Sequence, residues 1–221
     1  GTDAANTSVA TNWKTTDPTG CGSGDAGAAP GSADTAIFDA DCDNGATVNS
    51  ALSVTAATLQ SGYTGTVTMS AALTVSGTLT ITGGTVSQGS NTLTVGGLTV
   101  NGGTFTGGSG TLDVNGEVSI ESGTLTAPSG TFTVSGNWAQ SGGTFSPGTN
   151  TVTFDGGGTQ QLNSGGTSFY GITLSGTGTF VVLNTNALTV TNALTVGAGT
   201  TFQSPGLNWT MTGATFSNNN E

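Results

Sequence analysis

The chain reads as an all-β protein, a single-stranded β-solenoid (β-helix) of about nine rungs at roughly 20 residues per turn. Three observations predict this. Short alternating apolar-polar runs recur at a nearly constant interval from about residue 52. Glycines punctuate those runs, 39 of them in 221 residues, with Thr commoner still. Hydrophobic residues make up only 33% and charged residues 6%, too little apolar material for an ordinary globular core and too little charge for a disordered chain.

The repeat is clearest when like segments are aligned. Leu52-Ser53-Val54, Leu73-Thr74-Val75, Leu93-Thr94-Val95, Leu112-Asp113-Val114 and Phe132-Thr133-Val134 fall into one register. Val152-Thr153-Phe154, Ile172-Thr173-Leu174, Leu188-Thr189-Val190 and Leu207-Asn208-Trp209 continue it, with one short turn placed before Leu188. Within a turn, Leu73 and Val75 are followed by Gly77, then Leu79 and Ile81, then Gly83-Gly84 and Val86. Alternation over three to five positions is the mark of a short strand with one face inward, and glycine permits the bends between strands. Stacking the turns gives one inward column of Val86, Phe105, Leu125 and Phe145, and another of Leu79, Leu98, Val118 and Trp138. Nine rungs at about 4.8 Å make a rod on the order of 40 Å long. Outward Thr74, Thr94, Thr133, Thr153, Thr173 and Thr189 form a ladder that Asp113 interrupts. A β-sandwich of repeated hairpins is the alternative architecture.

Residues 1–47 break the pattern and are expected to form an irregular N-terminal cap or docking segment, with the repeat domain spanning 48–221. The segment holds both cysteines, the only Lys (Lys14), and seven of the twelve acidic residues. Cys21 and Cys42 are expected to pair as a disulfide, since the chain lacks His and a CxxC motif, and this implies an oxidising compartment. The start at Gly1 without Met reads as a mature form after removal of a leader. The expected location is secreted or on the cell surface.

Asn12-Trp13, Pro30-Gly31 and Ala33-Asp34-Thr35-Ala36-Ile37-Phe38-Asp39, followed by turns of the T-L-T-V and G-G-T-F type, resemble bacterial and archaeal cell-surface β-helical repeat proteins of the autotransporter-like, adhesin type. The resemblance covers most of the chain. It implies an exported, surface-located β-helix and carries over no catalytic residue.

Side-chain chemistry narrows the function further. With no His, no Arg and one Lys, the chain lacks the commonest general base, every Ser-His or Cys-His pair, and the cations that neutralise phosphates. No enzyme activity, no nucleic-acid partner and no membrane insertion are expected, and the formal charge of −11 repels anionic surfaces. Asp39, Asp41 and Asp43 alternate in a way that could gather oxygen ligands for Ca²⁺, but Asn44 and Ser50 stand where an EF-hand loop has its turn Gly and its bidentate Glu. The plainer reading is a solvated acidic turn, and no cofactor is expected otherwise. Asp113, Glu117 and Glu121 cluster in one rung without the Lys or Arg a lyase would add. Asn6-Thr7-Ser8 and Asn208-Trp209-Thr210 match the glycosylation sequon, so glycans on the surface are allowed.

Three functions follow. The favoured one is a structural subunit of an extracellular or cell-surface filament, a homopolymer joined head to tail through the solenoid ends. Its self-assembly residues would be Leu207, Trp209, Met211 and Phe216, where no cap is evident. The second is an adhesin or carbohydrate-binding segment, for which Trp13, Tyr63 and Tyr170 are the candidate exposed aromatics. The third is ice binding through Thr92/Thr94, Thr131/Thr133 and Thr151/Thr153 on one outward face.

Overall fold

The computed structural model describes residues 5–6, 29–40, 45–177, 179–182, 185–212 and 215–219, with side chains described from residue 29 onward except at 179–182. Every strand pairing in it is parallel, and apart from Ala5–Asn6, which lies on Ala46 and Thr47, each joins a strand to one about 20 residues away. Among the described residues there is no α-helix, and therefore none long and apolar enough to cross a membrane.

The pairings run in three columns, so each turn of the solenoid contributes three strands. The first column passes through Ala46–Val48, Thr66–Met69, Thr85–Ser87 and the Phe105, Leu125 and Phe145 strands. The second passes through Leu52, Leu73, Leu93, Leu112, Phe132, Val152, Ile172, Leu194 and Phe216, which makes nine rungs. The third passes through Ala36, Ala57, Leu79, Leu98, Val118, Trp138 and Leu162.

Alternation decides what lies inside. In Leu112-Asp113-Val114 and Phe132-Thr133-Val134 the outer residues are buried and the middle one is half-exposed. Like side chains stack on like, and the core is one continuous apolar column. Trp138 is fully buried in it, with Phe145 and Phe169 set edge-on at 4.7 and 5.0 Å between ring centroids. Such edge contacts contribute about 0.5–1.5 kcal/mol each beyond area burial.

Corners follow from glycine in two ways. Between the third and first columns, Gly84, Gly102, Gly123 and Gly143 all have positive φ, which a residue with a Cβ adopts only with strain. Between the second and third columns, Gly96, Gly116, Gly136, Gly156 and Gly176 stack directly. A Cβ on Gly116 would meet the Gly96 carbonyl, and one on Gly136 the Gly116 backbone. A buried amide reinforces the corner at Gly136 and Gly156. Gln160 donates from Nε2 to the Val134 and Gly136 carbonyls at 2.9 and 2.6 Å, and its Oε1 accepts from the Gly156 N–H at 3.0 Å.

The structure corrects the sequence-derived register at three places. Ile172-Thr173-Leu174 is followed in its column by Leu194-Thr195-Val196, while Leu188-Thr189-Val190 stacks on Phe169 in the first column. There is no short turn. The chain carries Asn-Ala-Leu-Thr-Val twice, ending at Val190 and Val196, so periodicity alone could not choose between the copies. The place of Thr189 in the outward ladder accordingly belongs to Thr195. In the last rung Trp209 and Met211 stand over Leu188 and Val190, two residues along from the expected Leu207–Trp209 alignment. A shift of two keeps the inward face inward. Finally, solenoid pairing already includes Thr35–Phe38 and Ala46–Val48, ahead of the boundary expected at residue 48. Their inward residues Ala36 and Ala46 are small, which hid these rungs in an apolar pattern read from Leu, Val and Phe.

Candidate functional site

Two surfaces stand out: the C-terminal end of the stack and one long side of it.

At the end, Thr201–Gln203, Trp209–Met211 and Thr215–Asn218 lie on the preceding rung, one in each column. The residues beneath Trp209 and Phe216 are Leu188 and Leu194, both 0% exposed, whereas Trp209 is 39% and Phe216 49% exposed. Phe202 joins them, packed edge-on to Trp209 at 5.7 Å, and Trp209 lies 5.8 Å from Phe216. One aromatic ring from each column therefore covers the end of the core, with Leu207 and Met211 half-buried beside them. Of the four expected assembly residues, Trp209, Met211 and Phe216 belong to rung strands. Leu207 precedes its strand, and Ser204 donates to its carbonyl.

Along the side, the outward positions of the first column form an array that the sequence reading did not single out. Thr66/Thr68, Thr85/Ser87, Thr104/Thr106, Thr124/Thr126 and Thr144/Ser146 stack in unbroken register over five rungs. Between each pair the inward residue is Val67, Val86, Phe105, Leu125 or Phe145, all buried. Gly83, Gly102 and Gly142 flank the array on one side and Gly89, Gly108 and Gly148 on the other, with Ser122 and Pro128 in those places at the Thr124/Thr126 rung. None of these ten positions is charged. The second column, whose Thr pairs had been the expected regular face, is less uniform. There Thr133 donates to Asp113 at 2.9 Å and Ser135 to Asp155 at 2.7 Å, so its polar groups are satisfied on one another. Among the described residues, the ten first-column hydroxyls make no such bond.

The other sequence candidates are not brought together. Asp113 is half-exposed on the second column, while Glu117 and Glu121 are exposed farther along the chain, Glu121 accepting from Ser119 at 3.5 Å. Asp39 is half-buried, and its expected partners Asp41 and Asp43 lie outside the described residues, as do Cys21, Cys42 and Trp13. No group of three or more metal-ligating side chains occurs among the described residues. Tyr63 is not an exposed platform: it is 1% exposed, with its ring 5.9 Å from Phe38. Tyr170 is half-buried. Asn208 and Thr210 of the second sequon are exposed.

The fold defines an all-parallel β-solenoid. No family model, no curated protein and no solved structure matches the chain.

Proposed function

We propose that the chain is a structural subunit of an extracellular or cell-surface filament, in which the C-terminal rung of one copy is continued by the N-terminal rungs of the next. The observation that carries this reading is the end plate of Phe202, Trp209 and Phe216. It is an apolar core cross-section in contact with solvent, and the residues beneath Trp209 and Phe216, Leu188 and Leu194, are fully buried. Another layer of strands would cover these rings and supply the ladder partners that the last three strands lack among the described residues. A second copy presents suitable strands at its other end, where Ala5–Asn6 and Thr35–Phe38 extend the first and third columns. The joint links two different surfaces, so repetition gives an open filament. The role is mechanical, and neither catalysis nor a cofactor enters it.

The test is assembly state. Trp209→Asp places a charge in the end plate, and deletion of residues 1–11 removes the first strand. Both are expected to shift the chain from long filaments to short ones or monomers in sedimentation and negative-stain microscopy. If the parent chain stays monomeric at high concentration, or both variants polymerise like the parent, end stacking is not its mode of assembly.

A further inference from the structure

We infer that the outer face of the first column is an ice-binding surface, built from Thr66/Thr68, Thr85/Ser87, Thr104/Thr106, Thr124/Thr126 and Thr144/Ser146. This does not rest on filament formation, because the face runs along the side of the rod and the end plate is not part of it.

The first argument is spacing. Adjacent rungs are about 4.8 Å apart, and alternate residues of a parallel strand are about 6.6 Å apart, so the hydroxyls stand on a two-dimensional net of those dimensions. Water joined by O–H···O bonds of about 2.75 Å with tetrahedral angles has second-neighbour oxygens about 4.5 Å apart and an axial repeat near 7.3 Å. Each edge of the protein's net lies within about a tenth of an edge of the ice net. Register over five rungs holds the match for about 19 Å along the rod.

Hydrogen-bonding capacity comes second. Each Thr or Ser hydroxyl offers one donor and two acceptor sites, and here none is used by another described residue's side chain. The γ-methyl of Thr and its stiff χ1 fix where that hydroxyl points. Solid β-stacking has already ordered the side chains, so adsorbing them to a lattice costs little further entropy.

Charge complementarity is the third argument. Ice is a neutral lattice, and an ionised side chain would hold its own hydration shell against it. The described acids Asp34, Asp39, Asp113, Glu117, Glu121 and Asp155 all lie off this face. Crystalline polysaccharide, the other periodic neutral partner, is recognised by aromatic stacking, and the aromatic residues of these five first-column strands, Phe105 and Phe145, point inward.

The experiment is ice-affinity partition: a single ice crystal is grown slowly in a solution of the chain, and the protein in the ice and in the liquid is measured, with freezing hysteresis read on the same sample. The parent is expected to enrich in ice and to open a gap between melting and freezing points. Thr104→Tyr and Thr126→Tyr, each made separately, place a bulky ring at an outward position within the net and are expected to lose both signals while keeping the parent's thermal midpoint. Thr153→Tyr, on the second column, is expected to keep them. Exclusion of the parent from ice overturns the inference. So does retention of ice binding by both first-column variants, or binding to cellulose or chitin in place of ice.

Discussion

Replacing Phe105 with Ala tests the stacked core at its centre. Phe105 is 0% exposed and lies in register between Val86 and Leu125, so both neighbouring rungs lose contact with it. A buried aromatic removes about 150 Å² or more of apolar surface from water. At about 25 cal/mol per Å², that is about 4 kcal/mol, part of which the Ala methyl retains. The cavity left behind adds to the loss, and about 3–5 kcal/mol is the usual range for Phe→Ala in a core. In a stack whose stability is a sum of rung and neighbour terms, such a loss at the middle also weakens coupling between the two halves. Urea unfolding followed by circular dichroism is expected to show a much lower midpoint and a broader transition. Thr106→Ala, one residue away and exposed, is expected to stay within about 0.5 kcal/mol of the parent. Equal losses at the two positions would refute the inward-outward assignment, since a slip of one residue exchanges the faces.

Other perturbations follow from the corners and the core. Gly116→Ala forces a Cβ onto the Gly96 carbonyl and is expected to cost about 1–3 kcal/mol in the same urea assay. Gly157→Ala meets nothing within 4 Å and is expected to be neutral within about 0.5 kcal/mol. Gln160→Leu removes the amide donor of the Gly136 carbonyl and the acceptor of the Gly156 N–H, while the Val134 carbonyl keeps the Asp155 N–H, and a loss of about 2 kcal/mol or more is expected from the orphaned buried groups. Ala57→Val grows into the apolar space bordered by Ala36, Val67, Leu73 and Leu79, and an upward shift of the thermal midpoint, by about 0.5–2 kcal/mol of stability, is expected.

Much of this architecture was legible in the sequence, and the exceptions have physical causes. Leu73, Leu93, Leu112 and Phe132 could be aligned because a single rigid period separates them and glycine marks each corner. The register failed at Leu188 because two identical pentapeptides compete for one slot, and only three-dimensional pairing decides between them. Tyr63 was misjudged because a Tyr flanked by Gly62 and Thr64 reads as a loop tip, whereas its ring packs beside Phe38. The first-column Thr array was hidden by abundance. Thr stands on all three faces, and nothing in the spacing of Thr104 and Thr106 differs from that of Thr131 and Thr133. What separates the faces is the company each Thr keeps, Asp113 and Asp155 on one side and glycine on the other.

Helical reconstruction of the assembled material by electron microscopy tests the proposed function most directly. Head-to-tail stacking of nine rungs per copy requires a subunit repeat of about 43 Å along the filament axis and a strong axial spacing near 4.8 Å that runs unbroken through the joints. A chain that forms no filament contradicts the proposal, as does a filament whose strands run along its axis or whose subunit repeat is unrelated to that length.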